Sequence, residues 1–128
     1  MSSPTQYVPG VCNIGRAEVR LRWLVGWAGL VGGAALWGYF IWADAPRPVR
    51  LWVGGPALMA ALGFLQARRN FCVNYGLGGV AGFGEEAGRT ERIEDEESRE
   101  LDGRTSWRII TQSMLIAMAA AIVAYLAP

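Results

Sequence analysis

The stretch Trp23 to Ala43, WLVGWAGLVGGAALWGYFIWA, decides the fold class, because none of its 21 residues is charged. At 1.5 Å rise per residue such a helix reaches about 31 Å, the thickness of a hydrocarbon core. Next along the chain, Leu51 to Ala67 (LWVGGPALMAALGFLQA) is a second uncharged run of 17 residues. It spans about 26 Å and extends toward Phe71 if Arg68 and Arg69 snorkel into the headgroups. A third run, Ile109 to Ala127 (IITQSMLIAMAAAIVAYLA), is interrupted only by Thr111, Gln112 and Ser113 in its first turns. There they sit at the interface or bond a neighbouring helix. The expected fold is therefore all-α: an integral membrane protein with three transmembrane helices, an antiparallel hairpin plus a third span. Its segments read as 1–22, a cytoplasmic N-terminal segment; 23–79, the transmembrane hairpin and an interfacial loop; 80–108, an acidic cytoplasmic linker; and 109–128, the third helix.

Composition agrees. The 128 residues are 52% hydrophobic and only 18% charged, with 17 Gly and 6 Trp, where a soluble domain carries about 25% charged residues. His and Lys are absent, and all twelve basic residues are Arg. This excludes His-ligated haem, a His general base and a Schiff-base lysine. The alternative for the first run is a signal peptide cleaved after Ala43-Asp44-Ala45. The run is longer than a signal h-region and Pro46 sits at the cleavage point, so an uncleaved span is expected.

Arginines on the flanks orient the chain. Arg16, Arg20 and Arg22 precede the first span, Arg68 and Arg69 follow the second, and Arg104 and Arg108 precede the third. Only Arg47 and Arg50 lie in the Asp44 to Arg50 connection. Seven against two places the N-terminus and the 67–108 connection in the cytoplasm and the C-terminus outside. Trp23 and Trp107 then anchor the inner interface, and Trp37, Trp42 and Trp52 the outer one, with Arg22, Arg68, Arg69 and Arg108 among the headgroups. A bacterial inner membrane is the expected location.

Small residues mark the packing faces. On span one Gly26, Gly29 and Gly33 recur at helical spacing, and on span two Gly54, Gly55, Ala57, Ala61 and Gly63 offer a smooth surface. Intrachain packing of the hairpin is the favoured use; a homodimer interface or a groove for a partner helix is the alternative. Pro56 kinks span two or lies in its first turn.

Asn70 to Gly84 (NFCVNYGLGGVAGFG) lacks helical regularity and reads as a re-entrant or surface-lying loop. From Glu85 to Asp102 lie nine of the chain's eleven acids. The pairs Glu85 with Arg89, Arg92 with Glu96, Asp95 with Arg99 and Glu100 with Arg104 lie at i,i+4 and would support a solvated helix. A soluble linker is favoured over an acidic surface for a basic partner.

Hairpin geometry brings Cys12 and Cys72 to the same end, where they could form a disulfide, a persulfide relay or, across a dimer, a four-thiolate metal site. A reducing cytoplasm and the lack of His favour unreactive structural thiols. No nucleophile–base pair, phosphate loop or metal set is readable, and no carboxylate or other charge lies at depth for an ion path. No cofactor ligated by side chains and no nucleic-acid partner is expected, although lipid, quinone or pigment contact through Trp and Tyr is open.

The pattern Asn13-Ile14-Gly15-x-x-Glu18-x-x-x-Arg22-x-x-x-Gly26, with Gly63, Cys72 and Gly76 after the second helix, resembles the transmembrane-hairpin family of YgaP-like bacterial inner-membrane proteins. The likeness covers about residues 12–79. It implies a two-helix hairpin that dimerises or attaches to other modules, and it brings no rhodanese active site. The function expected from all of this is that of a non-enzymatic accessory subunit of a larger inner-membrane complex, respiratory or photosynthetic, packed on other integral membrane subunits and lipids. The alternative is a self-sufficient homo-oligomer, either a channel or a thiol protein using Cys12 and Cys72.

Overall fold

A computed structural model describes residues 7–84 and 88–127. It is all-α apart from one two-residue strand pair, and three of its helices are long and apolar enough to cross a membrane. Helix α1 covers Arg16–Trp42, taking in the whole uncharged run and the charged turns before it. Ala43 and Asp44 turn the chain, and helix resumes at Arg47. Helix α2 (Arg47–Arg50), a 3-10 turn (Leu51–Val53) and helix α3 (Gly54–Arg69) follow one another without a break, together 23 residues. The connection is thus shorter than the expected Asp44 to Arg50. Pro48 stands in the first turn of α2 and Pro56 in that of α3, just after the 3-10 turn, where a missing amide costs no α-helical bond.

Helix α3 ends at Asn70, which adopts the left-handed conformation (φ 54°) that its short polar side chain tolerates. The next stretch corrects the sequence reading of a loop, because Val73–Gly78 forms a short helix, α4, ended by Gly79 at φ 73°. Strand β1 (Val80–Ala81) then pairs antiparallel with β2 (Glu91–Arg92).

Helix α5 covers Glu96–Leu126, 31 residues in one piece, capped at its start by Asp95, whose carboxylate accepts from Ser98 N. The acidic stretch is therefore divided. Its second half winds into the third span, while Glu91 and Arg92 pair as strand, so Arg92 and Glu96 do not share a helix. Of the expected charge pairs, Arg104 and Glu100 stand 3.9 Å apart on an exposed face. Glu85 lies outside the described residues, as does Pro128.

Helix α3 is the middle of the molecule: α1 packs along one side of it and α5 along another. Close approach to α1 is made by glycine. A Cβ on Gly63 would stand 2.4 Å from Gly26 N, one on Gly29 would stand 2.5 Å from Ala60 N, and one on Gly33 would touch Pro56 at 3.3 Å. The space left by Gly26 is filled by Phe64, whose ring lies 5.5 Å from Trp23 and 5.3 Å from Trp27. Ala61 is buried, and Gly54 faces Ala121 of α5. Gly55 meets open space and takes no part.

At the end formed by the Ala43–Pro46 turn, Phe40, Val53 and Ala124 join the three long helices in one apolar cluster. Arg47 Nη1 donates to Tyr125 O (2.9 Å) and Arg50 Nη1 to Ala127 O (2.8 Å). These cations satisfy carbonyls at the C-terminus of α5 and oppose its dipole. Trp42 and Trp52 are exposed at this end, and Trp23 and Trp107 are exposed toward the opposite one.

Candidate functional site

A dense polar cluster lies at the arginine-rich end, where the N-terminal arm, the start of α1 and the exit of α3 meet. Its first element is Asn13, wholly buried. The Asn13 side chain accepts from Cys72 N (2.6 Å) and donates to Cys72 O (3.1 Å), while Asn13 N donates to Asn70 O (3.1 Å). One asparagine thus replaces a strand partner for the turn after α3. Gly82 N donates to Asn13 O and Gly15 N to Gly82 O, both 2.8 Å, which threads the arm beside the glycine-rich segment. Gly15 is needed there because a Cβ would stand 3.2 Å from the Phe83 backbone.

One turn into α1, Glu18 is 2% exposed. Its carboxylate accepts from Tyr75 Oη (2.9 Å) and from the Gly88 amide, and it pairs with Arg22 at 3.3 Å. Arg22 Nη2 in turn donates to Cys72 Sγ at 2.9 Å. The i,i+4 spacing of Glu18 and Arg22 puts both on the face of α1 turned toward α4. Burial, the hydrogen bond to Glu18 and that carboxylate's charge push the Tyr75 hydroxyl up to about 12. Burial also pushes the Cys12 thiol up.

A second cluster fastens the arm to α5. Asp102, fully buried, accepts from Tyr7 Oη (2.5 Å) and Gly10 N (2.7 Å), and Thr105 Oγ1 donates to Gly10 O (2.7 Å). Burial first, then the bond to Asp102 and its charge, raise the Tyr7 hydroxyl. A third link is Ser106, whose hydroxyl donates to Val73 O (3.1 Å), beside Gly76, where a Cβ would come within 2.2 Å of that hydroxyl.

Several residues singled out in the sequence converge here. Asn13, Gly15, Glu18, Arg22 and Cys72 form one connected set, and Gly26 with Gly63 closes the helix contact beneath it. Cys12 and Cys72 are both buried with free thiols. The sulfur of Cys72 is engaged by Arg22, with no disulfide to Cys12. Arg69 reaches Gln112 across to α5 (2.9 Å), while the Ser113 hydroxyl is buried without a partner rather than bonding a neighbouring helix. Tyr7, Tyr75, Asp102, Thr105 and Ser106 were not foreseen. Asp102 carried one signal: it is the acid nearest the third apolar run, where lipid or protein must cover it.

Within these clusters the donors and acceptors are spent on one another. The arrangement ties four segments together and sets the Cys72 sulfur next to a guanidinium. Among the described residues no group of three or more Cys, Asp or Glu is placed to hold a metal ion. No family model, no curated protein and no solved structure matches this chain.

Proposed function

We propose that this chain is an accessory subunit of a larger complex in a bacterial inner membrane, a scaffold that packs against other membrane subunits and carries out no chemistry itself. The observation that carries the reading is the layout of the helices. With α3 in the middle, α1 and α5 keep broad apolar faces uncovered, including Leu24, Trp27 and Val31 on one and Leu115, Met118 and Ile122 on the other. Such faces suit partner helices, which associate in lipid by close packing. The internally satisfied polar clusters support the same reading, because they stiffen the scaffold and offer no open donor set to a substrate. The flanking arginines support an orientation with the arginine-rich end in the cytoplasm and the C-terminus of α5 outside. Exposed Trp suits contact with quinone or pigment held by a neighbour in a respiratory or photosynthetic assembly.

The test is extraction of the native protein in mild detergent, followed by mass spectrometry and an absorption spectrum of the same native-gel band. A multi-subunit band is expected, coloured if the assembly transfers electrons or harvests light. A band of this chain alone would overturn the reading. It would turn attention to the second reading, a self-sufficient thiol protein, which the Arg22 to Cys72 contact favours and which Cys72→Ala would inactivate.

A further inference from the structure

Between α1, the 3-10 turn and α5 lies a groove at the end where the Ala43–Pro46 turn sits. It encloses about 290 Å3, is lined by Trp37, Val53, Ala119, Ala120, Val123 and Ala124, and its walls are almost wholly apolar. An α-helix is at least about 10 Å across, so a volume of this size holds less than one turn of it. At about 30 Å3 for a group the size of a water molecule or methylene, it holds roughly ten such groups in file. Its dimensions are those of part of one hydrocarbon chain.

Two polar features stand at defined heights beside it. The Trp37 indole Nε1 is buried without a hydrogen-bond partner, a costly condition in an apolar setting. Trp37 lies five residues before the end of α1 at Trp42, about 7.5 Å deeper along the helix. Above the groove, at the helix ends, Arg47 is exposed and uses Nη1 on Tyr125 O, one residue beyond Ala124 of the groove wall. A guanidinium has five donors, which leaves four for an anion. Arg50, by contrast, is buried and donates to Ala45 O and Ala127 O.

The geometry points to a built site for one diacyl phospholipid of the leaflet on the C-terminal side of α5. One acyl chain lies in the groove, its phosphate is bound by Arg47, and the Trp37 ring turns to give its unpartnered Nε1 to the ester carbonyl. Ala119 and Ala120 form the chain's bed because larger side chains there would fill it. The inference is independent of the accessory-subunit reading, since the site is complete within one chain.

The test uses the purified full chain, stripped of lipid in detergent and titrated with dioleoyl phosphatidylglycerol, with native mass spectrometry counting adducts. One tightly held phospholipid per chain is expected. Ala120→Phe, which plugs the groove, and Trp37→Phe, which removes the donor, each lower its retention about tenfold, whereas Ala35→Phe on the open face of α1 leaves it unchanged. Arg47→Gln weakens phosphatidylglycerol but not dioleoylglycerol, which has no phosphate. Retention that ignores both Ala120→Phe and Trp37→Phe would overturn the site, as would absence of any held lipid. A photo-crosslink from position 120 to another polypeptide in the native membrane would overturn it too.

Discussion

Arg22 donates to the sulfur of Cys72, fifty positions away, at 2.9 Å, while its own carboxylate partner Glu18 accepts from Tyr75. The start of the first long helix and the exit of the second are therefore joined by side chains, although the covalent link between those helices is at the opposite end of the molecule. The bond has a thermodynamic consequence. Removing Glu18 leaves a mostly buried guanidinium without its anion.

Glu18→Ala is expected to destabilise the protein by about 3 kcal/mol, the range found when one partner of a buried pair is removed. Glu18→Gln should recover part of that loss, since it can still accept from Tyr75. Thermal unfolding in detergent measures both, and an unchanged midpoint for Glu18→Ala would remove this cluster from the list of what holds the fold.

The glycines give a sharper contrast because the space around each is known. Gly63→Ala pushes a methyl into the Gly26 backbone and should cost about 1–3 kcal/mol. Gly32→Ala meets open space and should be neutral or gain up to about 1 kcal/mol from helix propensity. Equal effects of the two would show that α1 and α3 do not approach through these residues.

Alkali should loosen the fold through Tyr75. Its hydroxyl ionises at about 12 in the folded chain and near 10 when unfolded. Between those values the folded chain keeps a proton the unfolded one has lost, so stability is full below pH 10 and falls as pH rises toward 12. Tyr7, raised in the same direction, adds to the slope. Denaturant midpoints from pH 9 to 12 should show the fall, and the double variant Tyr7→Phe, Tyr75→Phe should flatten it.

Thiol labelling reports on the same region. With Cys12 2% and Cys72 1% exposed, maleimide should modify the folded protein at least about a hundredfold more slowly than the unfolded chain. Arg22→Ala should speed labelling at Cys72 in particular. Rapid labelling of the native protein would mean that this end opens readily.

The membrane architecture was legible because uncharged length is a one-dimensional property: Trp23 to Ala43 needs no neighbour to be read. The Asn13, Gly15, Glu18, Arg22 pattern was equally visible, but its purpose was not, since that purpose depends on Cys72 and Tyr75 folding back across the hairpin. Charge spacing misled at Arg92 and Glu96. There, pairing of Glu91 and Arg92 with Val80 and Ala81 overrode the weak i,i+4 preference, which is worth only about 0.5 kcal/mol per pair. Arg47 and Arg50 were counted as topogenic charge, and their capping of α5 could not be seen without knowing where α5 ends in space.

The strap from Tyr7 and Gly10 to Asp102 carries a consequence for biogenesis. Its bonds join residues 95 and 92 positions apart, so the arm must wait for α5, which follows the hairpin along the chain, before it can hold Asp102. Until then Asp102 lacks these donors and the arm is held only where Asn13 and Gly15 bond the segment after α3, and the closure of so long a loop follows the hairpin. The arm and the first turns of α5 are thus fastened after the hairpin, and from then on the hairpin and α5 separate only by breaking that clasp.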